Sequence, residues 1–538
     1  MVSNNLAVLN AMDDAATQKY HFVVLGITGM GFFTTTYNIF CINAITKLLG
    51  RIYFYDPLLK EPGTLPQFVN NIVNGAALTG TFCGQLYFGW LGDRIGRKKA
   101  YEMTLIIIFF CALFSGLPFG SPGSVIAILC FFRFWLGVAL GGTYPLCATI
   151  MSENANRKTR GTFLSGLFTM QGFGIIFSGL VPMVLSKIFL IYYDAKPFYQ
   201  DPAHSTQSQG NILWRIVLMV GALPAAITYF WLRKMPETPR YTAVIKPDPR
   251  YDAARNAVTD MRRVLKIHVH EDPDEEQKIS KFKAVNSYPL SSNPFFERHG
   301  IHLIGAMCSW SLLDIAFYSQ NLTQKDLFPG MGLTKNPTKV SAIEEVYQQS
   351  RAMFIAAFLG TFPGYLCTVF LIDKLGRLAI QLMGFLMMSA FMLLMGVKYD
   401  YIRDQNPALF AVLYSLTFFF ANFGPNSTTF IISAELFPTR MRCLCHGLSA
   451  AAGKLGAMVG TFVVQTYTLK QGRDRIKHSL MVLAFTNMLG FCCTFLVTET
   501  KGLSLEELSG EDGGENEIEV NVPLMTNMGI HGSESEDS

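Results

Sequence analysis

Twelve apolar runs, each long enough to cross a bilayer, dominate the chain. They come as six, a polar break, and six more. They lie near 22–45, 70–91, 101–120, 123–151, 161–190 and 212–233, then 301–320, 351–372, 378–397, 408–432, 444–468 and 479–498. A helix needs about 20 apolar residues to cross hydrocarbon. In lipid every backbone N–H and C=O has to be satisfied within the segment, so runs of this length predict an all-α membrane protein of twelve spanning helices. Composition agrees: half of the 538 residues are hydrophobic and 15% are charged, against about 25% charged in soluble domains. A soluble enzyme of this size is excluded. The 44 phenylalanines and 46 glycines suit helices that face lipid and pack closely on one another.

The break divides the chain into a terminus 1–21, a six-helix half 22–233, a central loop 234–300, a second half 301–498 and an acidic tail 499–538. The central loop carries both signs (Arg255, Arg262, Arg263; Glu271, Asp272, Asp274, Glu275, Glu276) and reads as a soluble, partly helical connection. The tail from Gly510 is acidic and Gly/Ser-rich, a composition that does not build a core. Ser533 and Ser535 sit there among acids, the usual reading being a solvated tail. The first run is itself of spanning length and is read as a span, not a cleavable leader; Met1-Val2 lacks the glycine of a myristoylation signal. Most of the eleven cysteines fall inside apolar runs with no metal-ligand spacing, as small buried hydrophobes do.

The net charge of +5 is informative through loop placement and carries no nucleic-acid signal. Arg94, Arg97, Lys98 and Lys99 follow span 2. Arg157, Lys158 and Arg160 follow span 4, Lys374 and Arg377 span 8, Arg440 and Arg442 span 10. These share one side when both termini are cytoplasmic, as expected for a multi-pass protein of the plasma membrane. One loop, with Lys470, Arg473, Arg475 and Lys477, falls on the other side and disagrees.

The two halves repeat. Gly92-Asp93-Arg94-Ile95-Gly96-Arg97 follows span 2, and Ile372-Asp373-Lys374-Leu375-Gly376-Arg377 follows span 8, 280 residues later. Glu153 and Arg160 flank the loop after span 4; Glu435 and Arg440 flank that after span 10. Glycine permits the tight turn between adjacent helices. An Asp at a helix end with basic residues opposite makes charge-assisted bonds. Asp93, Arg94, Arg97, Glu153, Arg160, Asp373, Arg377, Glu435 and Arg440 are therefore the candidate cytoplasmic latch. Two six-helix halves in parallel repeat are the architecture of major facilitator transporters.

Ionisable groups at bilayer depth are expensive and point to function. Arg133 lies in span 4, Asp314 in span 7 and Lys454 in span 11, with Glu153 and Glu435 at span ends. Tyr37, Asn38, Tyr144, Gln171, Trp310, Tyr318 and Asn426 accompany them. Two cations with one deep carboxylate make a site of positive balance that suits an anion, and the uncharged donors can cage tetrahedral oxygens. Structural pairing or packing remains the alternative for several of these, Arg133 and the aromatics above all.

These residues resemble the plant and fungal proton-coupled inorganic phosphate transporters of the major facilitator superfamily, and most of all the plant branch. The likeness covers Tyr20 to Gly510. It rests on Gly29-Met-Gly-Phe-Phe-Thr34, Gly141 to Glu153, Leu312 to Asn321, Phe423 to Phe430 and Ala434 to Arg440. Leu6 to Asn10 and Gln320 to Asp326 are similar to members associated with root symbiosis in grasses. The resemblance implies phosphate contacts at Tyr144, Gln171, Trp310, Asp314, Tyr318, Asn426 and Lys454, and proton coupling through Asp314 and Arg133. It implies no cofactor, metal or catalytic residue: the partners are inorganic phosphate, protons and the lipid bilayer. No oligomeric state follows.

Three positions depart from the family pattern. Thr35, Asn38 and Thr143 stand where it has aspartates, and neither Thr nor Asn titrates near neutral pH. Transport of inorganic phosphate by alternating access is the leading reading, with H+-coupled symport in question at these neutralised sites. A phosphate sensor that no longer transports is the second. A facilitator for sulfate, arsenate or an organic solute is the third, kept open by Pro236-Glu-Thr-Pro-Arg240, which is similar to a sugar-transporter motif.

Overall fold

A computed structural model describes residues 13–56, 61–244, 288–328, 333–464, 467 and 473–511. Twelve long helices run through it. In the amino-terminal half they are α1 (Lys19–Tyr53), α2 (Gln67–Ile95), α3 (Arg97–Ser115), α4 (Pro122–Asn154), α5 (Arg160–Tyr192) and α6 (Gly210–Leu232). In the second half they are α7 (Ile301–Leu327), α8 (Ala342–Leu375), α9 (Arg377–Val397), α10 (Pro407–Glu435), α11 (Arg442–Val464) and α12 (Arg473–Thr494). Ten of these regions are apolar enough to cross a membrane by composition alone. The exceptions are α2 and α3. Asn70, Asn74, Thr81 and Gln85 point α2 inward as a polar face, and α3 opens on Arg97, Lys98 and Lys99.

The halves meet along two related seams, α2 against α11 and α5 against α8. Glycine makes the first possible. A Cβ on Gly447 would stand 2.4 Å from the Gln85 carbonyl, with the Gly89 Cα 3.3 Å away. The backbones touch where no side chain fits, the small-residue contact that holds helices together in lipid. Large apolar side chains such as Phe110, Phe131, Phe230, Phe370 and Phe485 face outward, as a lipid-facing surface requires.

The repeated motif breaks the helices in the same way twice. Gly96 has φ 106° between α2 and α3, and Gly376 has φ 100° between α8 and α9. Positive φ there is glycine's conformation, so each pair of helices turns back within one residue.

The residues just before the compositionally acidic stretch from Gly510 are structured. Glu499 to Glu511 folds back onto the protein, with a short helix Leu505–Ser509 and Glu506 and Glu511 buried. Most of the central loop (245–287) and the tail from 512, with Ser533 and Ser535, lie outside the described residues, as do residues 468–472 with Lys470. Of the loop that disagreed on charge, Lys477 pairs with Asp400 and Asp474.

Candidate functional site

Lys454 is the centre of the buried polar cluster between the halves. It sits on α11 among Ala452, Gly453, Leu455 and Gly456, far from either helix end, and is 2% exposed. Its ammonium donates to Asp314 Oδ2 on α7 at 2.9 Å and to the Tyr318 hydroxyl one turn on at 3.0 Å. It also lies 4.5 Å from the Tyr318 ring centre and 5.3 Å from that of Tyr144 on α4. Asp314 and Tyr318 share a face because they are four residues apart on one helix. Tyr144 reaches across from the other half, so one ammonium is enclosed from both sides.

The remaining predicted contacts surround this core. Trp310, one turn before Asp314, packs edge-on to Phe430 and His446. Asn426 donates to the Tyr365 hydroxyl at 2.9 Å and to Asn422 Oδ1 at 2.7 Å. Gln171 is buried, and its Oε1 has no hydrogen-bond partner among the described residues. A buried acceptor left unmade is costly, so this amide is available to a ligand. Phe32, Phe168 and Phe430 pack on one another toward the motif side, with ring centres 4.7–5.6 Å apart. On the opposite side Phe40 stacks on Tyr318 at 6.0 Å. Apolar rings thus cap the cluster above and below.

Arg133 does not join this cluster, contrary to the expectation of one site with two cations. It is buried within the amino-terminal half, where Nη1 donates to the Asn38 carbonyl at 3.2 Å and Nε has no partner among the described residues. Its ionisable neighbours are the thiols of Cys41 and Cys130. The positive balance is therefore split: Lys454 is matched by Asp314, and Arg133 has no carboxylate within ion-pair distance among the described residues.

Two of the three neutral positions are bonded to each other, and the third is satisfied by backbone. Thr35 on α1 and Thr143 on α4 stand with their hydroxyl oxygens 2.7 Å apart. Thr143 donates its hydrogen to the Leu140 carbonyl at 2.6 Å, so Thr35 is the donor to Thr143. Asn38, one turn along α1, donates to the carbonyls of Thr34 at 2.9 Å and Gly221 at 3.3 Å. Every donor is spent on a neutral acceptor.

At the motif end, each half latches the other. Asp93 accepts from the Leu444 amide at 2.8 Å and the Cys443 amide at 3.4 Å, capping α11 of the other half. Asp373 mirrors it, accepting from the Thr162 amide and hydroxyl at 2.7 Å at the start of α5. A carboxylate at a helix N-terminus satisfies orphan amides and opposes the helix dipole. The motif arginines bind the glutamates at the span ends: Arg97 to Glu153 at 3.1 Å, and Arg377 to Glu435 at 2.9 Å. Two predicted members stand apart. Arg94 is exposed and lies over Trp90 at 4.7 Å. Arg440 is half-buried and makes no ion pair among the described residues; buried Arg442 instead faces Glu153 at 3.6 Å. The repeat explains this, because Glu153 and Arg160 are seven residues apart, and so are Glu435 and Arg442.

Reading the sequence did not find the rest of this network. Glu237 accepts from the Lys98 amide at 3.1 Å, and Glu499 from the Arg377 and Leu378 amides at 3.0 Å, so both serve α3 and α9 alike. Beside them Thr238 donates to Glu153 at 2.6 Å and Thr500 to Glu435. Burial pushes the Glu237 carboxyl up. Arg240 donates to Asp13 Oδ1 and Glu506 Oε1, both at 2.9 Å, and Arg160 donates to the same Asp13 oxygen at 2.8 Å. Burial alone would raise Glu506, but Arg240 first, then Arg442 and Arg160, outweigh it and hold the carboxyl near about 2. The Glu-Thr pairs at 237–238 and 499–500 were a visible repeat signal; Asp13 and Glu506 offered none.

Comparison with known proteins identifies the family and the fold. The family described as sugar (and other) transporter covers residues 24–511. The chain is 60% identical to the low affinity inorganic phosphate transporter 4 of Lotus japonicus over 519 residues, 96% of this chain and 97% of that one. It is 56% identical to inorganic phosphate transporter 1-11 of Oryza sativa subsp. japonica, over 95% and 91%. Its fold superposes on the proton:xylose symporter XylE bound to 6-bromo-6-deoxy-D-glucose with a TM-score of 0.69, at 18% identity, over 91% of this chain and 98% of that one. These are transporters and not enzymes, and the chain belongs to the plant inorganic phosphate transporter family of the major facilitator superfamily.

Proposed function

We propose that this protein binds inorganic phosphate at Lys454 and moves it across a membrane by alternating access, with little or no proton coupling. One observation carries the reading. A buried ammonium is held by Asp314 and Tyr318 of one half and covered by Tyr144 of the other, where the halves meet. Dihydrogen phosphate complements this cluster. Its anionic oxygens accept from Lys454 and the tyrosine hydroxyls, while its P–O–H groups donate to Asp314 and the free oxygen of Gln171. Sulfate at neutral pH has no hydrogen to donate. Asn426 and Trp310 shape the remaining wall.

The coupling argument rests on the Thr35–Thr143 hydroxyl pair. No proton is taken up or released there near neutral pH, and Asn38 is equally silent. Asp314 is the remaining titratable candidate in the site. The excess of Lys and Arg in the motif-end loops supports a cytoplasmic motif end, in what we take to be the plasma membrane. The same hydroxyl pair also favours a second reading, a sensor that binds phosphate without net transport.

Phosphate counterflow in proteoliposomes tests both. Exchange of preloaded for external phosphate, lost in Lys454→Ala and inhibited poorly by sulfate, supports transport. Phosphate binding with no exchange supports the sensor, and no phosphate binding at all sinks both.

A further inference from the structure

Opposite the motif end, the connection before α6 bonds to the segment before α8, through the Tyr199 amide to the Thr338 carbonyl at 3.0 Å and the Ala342 amide to the Ser205 carbonyl at 2.9 Å. Beside these contacts one buried guanidinium joins the halves. Arg51, at the end of α1, is 2% exposed, and the acceptors of its bonds belong to the second half. Nε donates to Glu345 Oε2 at 2.7 Å, Nη2 to the Pro337 carbonyl at 2.6 Å, and both terminal nitrogens to Val340 O at 3.4 Å. Lys47, one turn inward, lies 3.7 Å from the same carboxylate. Breaking a buried ion pair leaves an uncompensated charge, so this contact is a discrete closure and not a loose rim.

Behind it lies a cavity that none of the roles above uses. Its polar lining is Asn43, Ser178, Asn321 and Thr361, closed by Phe40 and Met353. It has room for about one water. Two stripes lead to it from the closure. On α1, Arg51, Lys47, Asn43 and Phe40 follow one another at helical spacing; on α8, Glu345, Gln349, Met353 and Ala357 do the same. The floor is Phe40, which stacks on Tyr318, itself bound to Lys454. The route from the closure to the phosphate cluster is therefore one aromatic ring thick at its inner end.

Unmet polar demand marks the chamber at Asn43, which lines it, and the stretch of α8 leading to it at Gln349 and Ser350. Asn43 Oδ1, both amide atoms of Gln349 and the Ser350 hydroxyl are buried with no partner among the described residues. At Ala357–Thr361 α8 changes to a π turn, followed by Pro363. Such turns cluster at functional sites and make a helix locally adjustable. The polar lining itself is neutral: amides and hydroxyls, both donors and acceptors.

We propose that Arg51–Glu345 is the outer gate of this transporter and that the chamber behind it is a transient second site for a protonated oxyanion such as dihydrogen phosphate. Opening the gate frees Arg51 and Lys47 to attract the anion. The amide oxygens of Asn43 and Gln349 accept its P–O–H hydrogens, and rotation of Phe40 passes it to Lys454. This rests on the phosphate reading above, but adds a site that reading does not need.

Cysteine accessibility in the full-length protein tests it. Asn43→Cys is labelled with a membrane-impermeant methanethiosulfonate added on the Arg51 side, with the unsubstituted protein as the background for the native thiols. Labelling should be slow with the gate intact and at least about tenfold faster with Glu345→Gln. The swapped pair Arg51→Glu with Glu345→Arg should slow it again. Phosphate protection is read on Thr361→Cys in the open-gate variant, which keeps Asn43 and Gln349 in place; there millimolar inorganic phosphate should slow labelling several-fold more than sulfate does. Should Asn43→Cys not fold, Thr361→Cys reports the same chamber. Equal labelling with and without Glu345→Gln overturns the gate. Absence of phosphate protection overturns the second site. Thermal stabilisation of the unsubstituted protein by inorganic phosphate, measured in parallel, separates the two claims: stabilisation without protection refutes the chamber alone, and no stabilisation refutes the phosphate reading itself.

Discussion

Replacing both hydroxyls of the Thr35–Thr143 pair by carboxylates should install a proton site. The two oxygens are 2.7 Å apart in a buried setting. Two full charges at that separation repel by about 6 kcal/mol at an effective dielectric constant near 20. The pair Thr35→Asp with Thr143→Asp therefore holds one shared proton through neutral pH, as carboxylate dyads do. The transport consequence follows from charge. Dihydrogen phosphate moving alone into an inside-negative compartment works against about 2.3 kcal/mol per 100 mV, an equilibrium exclusion of about fifty-fold. With one proton cotransported the cycle is electroneutral, and that exclusion disappears. The assay is phosphate uptake into proteoliposomes carrying a potassium diffusion potential, with an internal pH-sensitive dye and both sides started at about pH 5, well below the second dissociation of phosphate, so that imported dihydrogen phosphate releases no proton of its own. The unsubstituted protein should show voltage-sensitive uptake without acidification. The double variant should show acidification in step with phosphate and little voltage dependence, with counterflow retained as proof of folding. Proton movement already present in the unsubstituted protein, or counterflow without acidification in the double variant, refutes the reasoning.

Three further outcomes follow from the same structure. Lys454→Ala strips the partner from buried Asp314, which corresponds to about 3–5 kcal/mol; phosphate affinity measured by thermal shift should fall by at least about a hundredfold, and Lys454→Arg should recover part of it. Glu506 is held near about 2, below its ordinary value, so its stabilising contribution is complete above the usual carboxylate range and is lost as pH falls toward 2. Melting of the detergent-solubilised protein should accordingly drop more steeply between about pH 4.5 and 2.5 than melting of Glu506→Gln; parallel curves would exclude this linkage. Gly447→Val places its Cβ 2.4 Å from the Gln85 carbonyl and should lower stability by about 1–3 kcal/mol, where an unchanged melting temperature would show that the α2–α11 seam yields.

Much of the fold was legible because lipid imposes a simple rule on sequence. Runs of apolar residues had to be helices, and repeated Asp-x-x-Gly-Arg motifs had to sit at matching places in two halves. Even α2, whose Asn70, Asn74 and Gln85 dilute its hydropathy, kept enough length to be seen. The central site was legible in part for the same reason, since Asp314 and Lys454 are conspicuous in apolar surroundings. Arg133 is equally conspicuous and yet belongs elsewhere, because hydropathy gives depth and not azimuth. Partners brought together from distant segments were illegible: Arg51 and Glu345 are 294 residues apart, and Arg240 and Glu506 are 266 apart. Arg440 was preferred over Arg442 because the motif ends on it, whereas the seven-residue offset from the glutamate decides which arginine is buried.

The position of Arg240 bears on how such a chain should be handled. It holds Asp13 from one end of the protein and Glu506 from the other in a single buried charge cluster. The described part of the chain is thereby fastened into a loop at the motif end, and its two extremities act as a drawstring across the halves. Trimming back past Glu506, or displacing Asp13 with a rigid fusion, removes a counter-charge from a guanidinium that is fully buried. A shortened protein would still have twelve helices, yet its resting preference between the two faces of the membrane would no longer be that of the parent.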